Sequence, residues 1–527
     1  HPRDRTVLAE QRVLTHDVRE RFGPQPLRQR RGRRDGEEVG AASLLAAGVR
    51  QLEAAGAKNI VVFTVPNTAT TPSTLDSVAA ADTPQEAAAI AIGAEQLGIA
   101  YNDALESALS RTNAVLFDLG KLTDAALAEP GRFGFTQTGQ VQDGDGVLEG
   151  VACPTSSDPE VNSLVCLEGV TAFPEEDDVF LFADGVHPTA EGHAIIAQAL
   201  QSLFVSANDT ARTMETMLTV QRQRELWREE RLRPSALYTL SPEGGWVKRA
   251  DGDVQARIVG GYNSAEGDAL DPLYSSGEGD EVSGTLAIDA LVGQSSLFGG
   301  EVGVHSGEVD FTNSNASWTS VHAGLFGMSA FSEYFHLNGA LGVEVVYFDD
   351  IERSVTLGAA RETYSGDTEA FRFYARAGLG ATIPLSESAT LTPDAAISFN
   401  RMDLEAYEED DGPASFAYGD NEIQSTRGIL GLTLAAAPQS LPGWGFSLRG
   451  AYEHEFDDER HEIEIGSDEG KLGVLTLERI DDSYAVVSGR ITRAVGATGA
   501  LSLGAATTLP EEGETGYAGS IEFSLGF

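Results

Sequence analysis

The sequence predicts a multidomain chain: a partial α/β domain with a parallel sheet and flanking helices, a linker helix, and a C-terminal 12-stranded transmembrane β-barrel. Three observations predict it. The 527 residues are too many for one ordinary domain. Between residues 41 and 204, helix-period segments alternate with short continuous apolar runs, the pattern of parallel strands buried on both faces. From about Pro234 the texture changes to short apolar–polar alternations separated by Gly, Asp, Asn and Ser. That alternation is required when one side of a strand faces lipid and the other a polar lumen.

Residues 1–40 stand apart. Seven arginines fall between Arg19 and Arg34, with neither helical nor strand periodicity. The expectation is a disordered basic arm, or a lead-in that is not authentic protein sequence, such as a reading-frame error. From Ala41, "AASLLAAGVRQLEAAGA" predicts an amphipathic helix on Leu45, Val49 and Leu52, ended by Gly56. "NIVVFTVP" predicts a buried strand closed by Pro66, "PQEAAAIAIGAEQLGIAYNDALESALS" a second helix, and "NAVLFDL" a second buried strand. "DDVFLFADGVHP" leads into the helix "TAEGHAIIAQALQSLF", and residues 205–233 predict the linker helix, closed by Pro234.

About twelve alternating segments fill residues 234–527, among them "VSGTLAIDALVG", "SVHAGLFGMSAF", "EYFHLNGALGVEVVYF", "FRFYARAGLGATI" and "GWGFSLRGAYEHEF". In the final "SIEFSLGF", Ile521, Phe523, Leu525 and Phe527 alternate to the last residue. A soluble all-β domain is the competing reading. The strand count and the aromatic terminus favour the barrel.

The net charge of −45 argues against a nucleic-acid partner, which needs basic surface to meet phosphate. No run of eighteen apolar residues predicts a membrane helix, which leaves a barrel open. The two cysteines, Cys153 and Cys166, are compatible with one local disulfide in an oxidising compartment, or with two free thiols. "QDGDGVLEG" holds Asp143, Asp145 and Glu149, but the spacing does not complete an EF-hand, and a solvated turn is expected.

The stretch "LFADGVHPTAEGH" carries the chemistry: Asp184 and His187 sit three apart in a loop, with Pro188 next and Thr189 placed to cap a helix. A surface-loop histidine is the plain alternative. His193, within the helix, is expected to be structural or exposed.

Residues 234–527 resemble the translocator barrel of an autotransporter, a type V secretion protein, with 205–233 as the helix threading its lumen. Residues 41–204 resemble the later part of a GDSL, or SGNH, esterase/lipase passenger, on "LEAAGAKNIVVFTVPN", "GRFGFTQTG" with Cys153 downstream, and "ADGVHPTAEGHAIIAQAL". The resemblance implies carboxylic-ester hydrolysis through an acyl-serine, with no cofactor and no metal. It makes His187 the general base and Asp184 the carboxylate that orients it. It also implies the outer membrane of a Gram-negative bacterium, with the passenger on the cell surface. The partners would be outer-membrane lipid, the barrel-assembly machinery and an ester or lipid substrate. A non-catalytic pore or adhesin is the alternative.

The family's nucleophile comes from a Gly-Asp-Ser block, and its oxyanion donors from that serine's N–H, a glycine and the asparagine of a Gly-x-Asn-Asp block. None of these blocks stands ahead of residue 59; "AYND" (100–103) and "SAND" (206–209) lack the glycine, and Ser43 lacks the context. The chain is therefore expected to be N-terminally incomplete and inactive as it stands. A passenger short of its central strand is expected to be poorly ordered.

Overall fold

The computed structural model describes residues 7–8, 27–139, 150–153, 179–267, 276–457, 460–468, 470–478, 483–510 and 514–527, with side chains described from residue 39 onward.

The front region is a three-stranded parallel sheet in the order β1 (Val7–Leu8), β2 (Ile60–Phe63), β3 (Val115–Phe117). Helices α1 (Leu27–Ala54), α2 (Pro72–Ala79), α3 (Pro84–Leu109) and α4 (Leu119–Ala128) surround it. The period-two alternation of a strand sorts its residues to two cores. Ile60, Val62 and Leu116 pack with Ala42, Ala46 and Val49 of α1 and Leu105 and Leu109 of α3. Val61, Val115 and Phe117 face the other way, toward Leu122, Ala126, Phe133, Phe135 and Leu181.

Two expectations are corrected here. Residues 27–40 are helical and continuous with 41–54, not an unstructured arm, and Val7–Leu8 pairs with Ile60–Val61. Arg, Gln and Glu have high intrinsic helix propensity, which needs no apolar stripe to act. Nor is the front region poorly ordered between residues 41 and 139: strands and helices close two cores there. The segment 142–149 and Cys166 lie outside the described residues.

The helix expected after Thr189 and the linker expected at 205–233 are one element, α5, running without a break from Ala190 to Glu229. No glycine or proline interrupts it between Gly192 and Pro234, so nothing in the backbone ends it earlier. At about 1.5 Å per residue its 40 residues reach about 60 Å, twice a bilayer's hydrocarbon thickness.

Twelve antiparallel strands form the barrel: β4 (Val254–Gly267), β5 (Gly277–Val292), β6 (Ser296–Phe311), β7 (Ser314–Ala330), β8 (Phe335–Leu357), β9 (Ala360–Ala381), β10 (Ala389–Leu404), β11 (Asn421–Ala436), β12 (Trp444–Glu455), β15 (Ser483–Val495), β16 (Gly499–Pro510) and β17 (Thr515–Gly526). Each pairs with the next, and β17 pairs back onto β4, so the sheet has no open edge. Ile258, Val282, Leu286, Val302, Val304, Val321 and Leu325 point outward and are exposed. Arg257, Glu281, Asp289, Glu301 and Glu344 point inward and are buried. On β17 the outward residues are Tyr517, Ile521, Phe523 and Leu525, and Phe527 ends the chain by donating its N–H to the Val254 carbonyl at 2.9 Å.

α5 fills the lumen, which is why nearly every residue from Ser202 to Glu229 is buried. Its charges meet those of the wall. Arg224 reaches Glu344 at 3.0 Å and Glu281 at 3.2 Å; Glu225 meets Arg372 at 2.8 Å and Arg427 at 3.2 Å. Glu229 meets Arg376 at 3.1 Å and Arg449 at 3.4 Å, while Arg228 and Arg231 share Glu301. Gly504 leaves the wall open for Trp227; a Cβ there would lie 2.7 Å from the indole.

At the end of the barrel that meets the front region, the connections carry structure of their own. β13 (Arg460–Ser467) and β14 (Gly473–Glu478) form a hairpin that joins two short strands, Tyr407–Glu408 and Phe416–Tyr418, in a separate four-stranded sheet. One hydrophobic core runs from Phe117 and Leu181 through Phe204 and Met214 to Trp318, Phe416 and Ile463, joining the front region to the barrel mouth.

Candidate functional site

The Asp184–His187 loop is closed on itself and held by three neighbouring segments through backbone hydrogen bonds. Phe182 bridges Pro188, and the Ala183 N–H donates to the His187 carbonyl at 2.8 Å, which closes the loop on itself. The Ser73 N–H, at the start of α2, donates to the Gly185 carbonyl at 3.0 Å. Ala152 and Cys153 donate to the Phe182 and Ala183 carbonyls at 3.0 and 2.9 Å, and Leu181 donates to Gln137 at 2.9 Å. The loop is thus pinned to α2, to 151–153 and to the segment after α4.

Asp184 is 1% exposed. Its Oδ1 accepts the N–H groups of Val186 at 2.9 Å and His187 at 2.8 Å, which orients the carboxylate from its own turn. Both oxygens face the His187 ring, with Nδ1 at 2.8 Å from Oδ2 and 3.0 Å from Oδ1. A carboxylate there places the imidazole proton on Nδ1 and leaves the Nε2 lone pair free to accept another. The His187 side chain is 53% exposed, so Nε2 is open to an incoming group.

Thr189 sets the helix that follows. Its Oγ1 accepts the Gly192 N–H at 3.1 Å as the N-cap and donates to the Phe180 carbonyl at 2.6 Å. Gly192 fits beneath the loop: a Cβ there would stand 2.9 Å from the Pro188 ring and 3.0 Å from the Leu181 carbonyl. Thr189→Ala removes the cap and leaves the Phe180 carbonyl without its donor. It is expected to cost about 1–2 kcal/mol, read as a lower temperature at which the front region loses protease resistance.

Of the other expected residues, Cys153 is disulfide-bonded, and its N–H braces the residue before Asp184. The pairing thus ties a covalent link to the Asp184–His187 loop, a connection the spacing of the cysteines does not reveal. His193 bonds through Nδ1 to the Thr189 carbonyl at 2.8 Å, within its own helix. Asn102 of "AYND" serves the fold: its side-chain amide accepts from the Val65 N–H at 2.8 Å and donates to the Val65 carbonyl at 2.9 Å, fixing the chain just beyond β2. In "SAND", Asp209 accepts the Ser314 hydroxyl at the barrel mouth. Ser43 is exposed on α1. Among the described residues no cluster of three or more His, Cys, Asp or Glu side chains is arranged to hold a metal ion.

A closed barrel with a helix through its lumen, joined to an α/β layer that carries an Asp-x-x-His loop, defines a two-part outer-membrane protein: a translocator and the domain it carries. Residues 254–506 match the autotransporter beta-domain family, and residues 40–200 match the GDSL-like lipase/acylhydrolase family. The chain therefore carries a GDSL-like lipase/acylhydrolase domain ahead of an autotransporter β-domain, and that β-domain places it in the outer membrane.

Its relatives align across both parts. An uncharacterized protein in the trpE-trpG intergenic region of Pseudomonas putida is 24% identical over 81% of this chain and 67% of its own. Lipase 1 of Photorhabdus luminescens is 22% identical over 72% and 53%, and Esterase EstA of Pseudomonas aeruginosa is 23% identical over 80% and 61%. The chain spans between about half and two thirds of the length of these relatives. The translocator domain of autotransporter NalP from Neisseria meningitidis aligns over 53% of this chain and 90% of its own, with 14% identity and a TM-score of 0.43.

Proposed function

We propose that the chain presents an ester-hydrolase domain of the SGNH type on the cell surface, with His187 as general base and Asp184 as its orienting carboxylate. The observation that carries this reading is the buried Asp184 carboxylate, locked by two N–H donors and bonded to His187 Nδ1 at 2.8 Å, with the ring's far side open. In this reading a serine hydroxyl attacks the ester carbonyl and passes its proton to Nε2. The imidazolium then protonates the departing alkoxide, and water returns by the same route to release the acid. The substrate class is carboxylic esters, lipids included. No metal or organic cofactor takes part.

The base half is all that these residues supply. The sequence contains no Gly-Asp-Ser block, so this chain by itself is expected to hydrolyse esters no faster than background. Outer-membrane lipid would meet the apolar outer face of the barrel, and the assembly machinery its last strand. The alternative of an open pore is disfavoured by the helix and ion pairs that fill the lumen.

The test is a chimaera in which a front half carrying the Gly-Asp-Ser and Gly-x-Asn-Asp blocks is joined ahead of residue 41. Whole cells displaying it should hydrolyse a short-chain p-nitrophenyl ester, while cells displaying the chain alone should not. A folded, protease-accessible chimaera with no turnover would count against the reading.

A further inference from the structure

Among the described residues the parallel sheet of the front region ends at β3, whose outer edge would be open there without the barrel. That edge is occupied by the hairpin between barrel strands β12 and β15. The Val474 N–H donates to the Asn113 carbonyl at 2.8 Å, and the Leu116 N–H to the Lys471 carbonyl at 3.4 Å. The Asp118 N–H donates to Ser467 Oγ at 2.8 Å. Asn59, just ahead of β2, holds the backbone of Thr476 from both sides: Oδ1 accepts its N–H at 2.7 Å, and Nδ2 donates to its carbonyl at 3.0 Å.

Side chains reinforce the seam. Lys471 Nζ donates to the carbonyls of Thr112 at 2.9 Å and Ala114 at 3.1 Å, and its burial there lowers its pKa below the ordinary lysine value. Lys121 of α4 meets Asp411 and Asp468, each at 2.5 Å, from two different barrel connections. The approach is backbone against backbone at Gly473, where any Cβ would collide with the Val115 nitrogen and the Ala114 carbonyl group. An edge strand that is not covered is a site of misassembly, and added strands bind mainly through main-chain hydrogen bonds.

We propose that the β13–β14 hairpin is a docking edge for residues 113–118, so that the sheet of the carried domain is held complete only against an assembled barrel. The barrel in this chain does more than anchor: it supplies part of the frame on which its cargo stays folded. The inference does not rest on the esterase reading, and its test needs no substrate.

The full chain is displayed in the outer membrane of a Gram-negative host as wild type, Gly473→Val and Asn59→Ala. Barrel assembly is read from the heat-modifiable band on an unheated gel. Passenger stability is read from the rate of cleavage by added protease. Gly473→Val lies on the barrel side of the seam, yet the expected result is a normal barrel band with a passenger cleaved about tenfold faster. Asn59→Ala should move cleavage in the same direction by a smaller factor, and the double variant should fall short of the product of the two. Wild-type cleavage of Gly473→Val with an intact barrel overturns the proposal. If that variant fails to assemble, Asn59→Ala decides alone: it stands in the passenger, leaves the barrel wall untouched, and wild-type cleavage would overturn the proposal equally.

Discussion

His187→Ala, introduced into the chimaera that carries a nucleophile block, should reduce ester hydrolysis on the order of a thousandfold or more. In the proposed mechanism the imidazole bonded to Asp184 exchanges a proton with a serine on its open side. Without it the hydroxyl attacks un-ionised and the leaving alkoxide departs unprotonated, so both halves of the reaction lose their proton carrier. Asp184→Asn should be nearly as damaging for a different reason. An asparagine can still accept the N–H groups of Val186 and His187 through its oxygen, so the loop should keep its shape. Its amide has no charge to hold the imidazolium, however, and can present an N–H where Nδ1 needs an acceptor. Turnover should fall while protease resistance and the barrel band stay at wild-type levels. Turnover in His187→Ala equal to the parent would remove the base assignment.

The second large effect lies in the lumen. Glu344 is fully buried, accepts both Arg224 amino groups at 3.0 Å, meets Arg372 at 3.0 Å and receives the Ser320 hydroxyl at 2.6 Å. Glu344→Ala leaves the two guanidinium groups short of one negative charge in a site where both are buried or nearly so. Removing one member of a buried ion network costs about 3–5 kcal/mol, because the remaining charge is stranded. Arg224 keeps Glu281, and Arg372 keeps Glu225, so the lower part of that range is expected. The control is Arg401→Ala: Arg401 pairs with Asp403 on the outside of the protein, where both side chains are nearly half exposed. An exposed pair contributes at most about 1 kcal/mol. The folded barrel band of Glu344→Ala should therefore vanish at a clearly lower urea concentration than that of Arg401→Ala. Equal midpoints would show that the plug is not held by these charges.

The parts of the molecule differ in how openly the sequence declares them, and the reasons are physical. Barrel strands such as Gly277–Val292 and Thr515–Gly526 are legible because lipid and lumen impose opposite polarity on successive residues. The same alternation in "HEIEIGS" and "GVLTLE" belongs to a hairpin outside the wall, since alternation reports two unlike faces and not what each face meets. The arginine-rich stretch at 27–40 hides its helix because propensity without a stripe leaves no periodic trace. The line expected near residue 204 marked a change of surroundings for α5, from an α/β layer to a lumen, and the backbone runs through it unbroken.

At the site, Asp184 and His187 are legible because the turn that joins them is local. What pins that turn is not: Ser73 to Gly185, Cys153 to Ala183 and Gln137 to Leu181 are contacts between distant segments, made by backbone groups that every residue type carries. No choice of side chain announces them. The docking seam shares that character where Val474 meets Asn113 and Leu116 meets Lys471, while the side chains of Asn59, Lys471 and Lys121 and the bare Gly473 mark it without naming their partners.

The unbroken α5 has one more consequence. His187 stands two residues before the helix cap, and the same helix is keyed into the lumen by Arg224, Glu225, Arg228 and Glu229. The face of the front region that carries His187 therefore has a fixed compass bearing and a fixed altitude over the bilayer, as a vane has on a keyed shaft. Adding one residue to the exposed turns would swing that bearing by about 100° and raise it about 1.5 Å; adding seven would return it to within about 20°, some 10 Å higher. Evolution of this helix can therefore change reach in steps of whole turns, but aim and reach cannot drift independently.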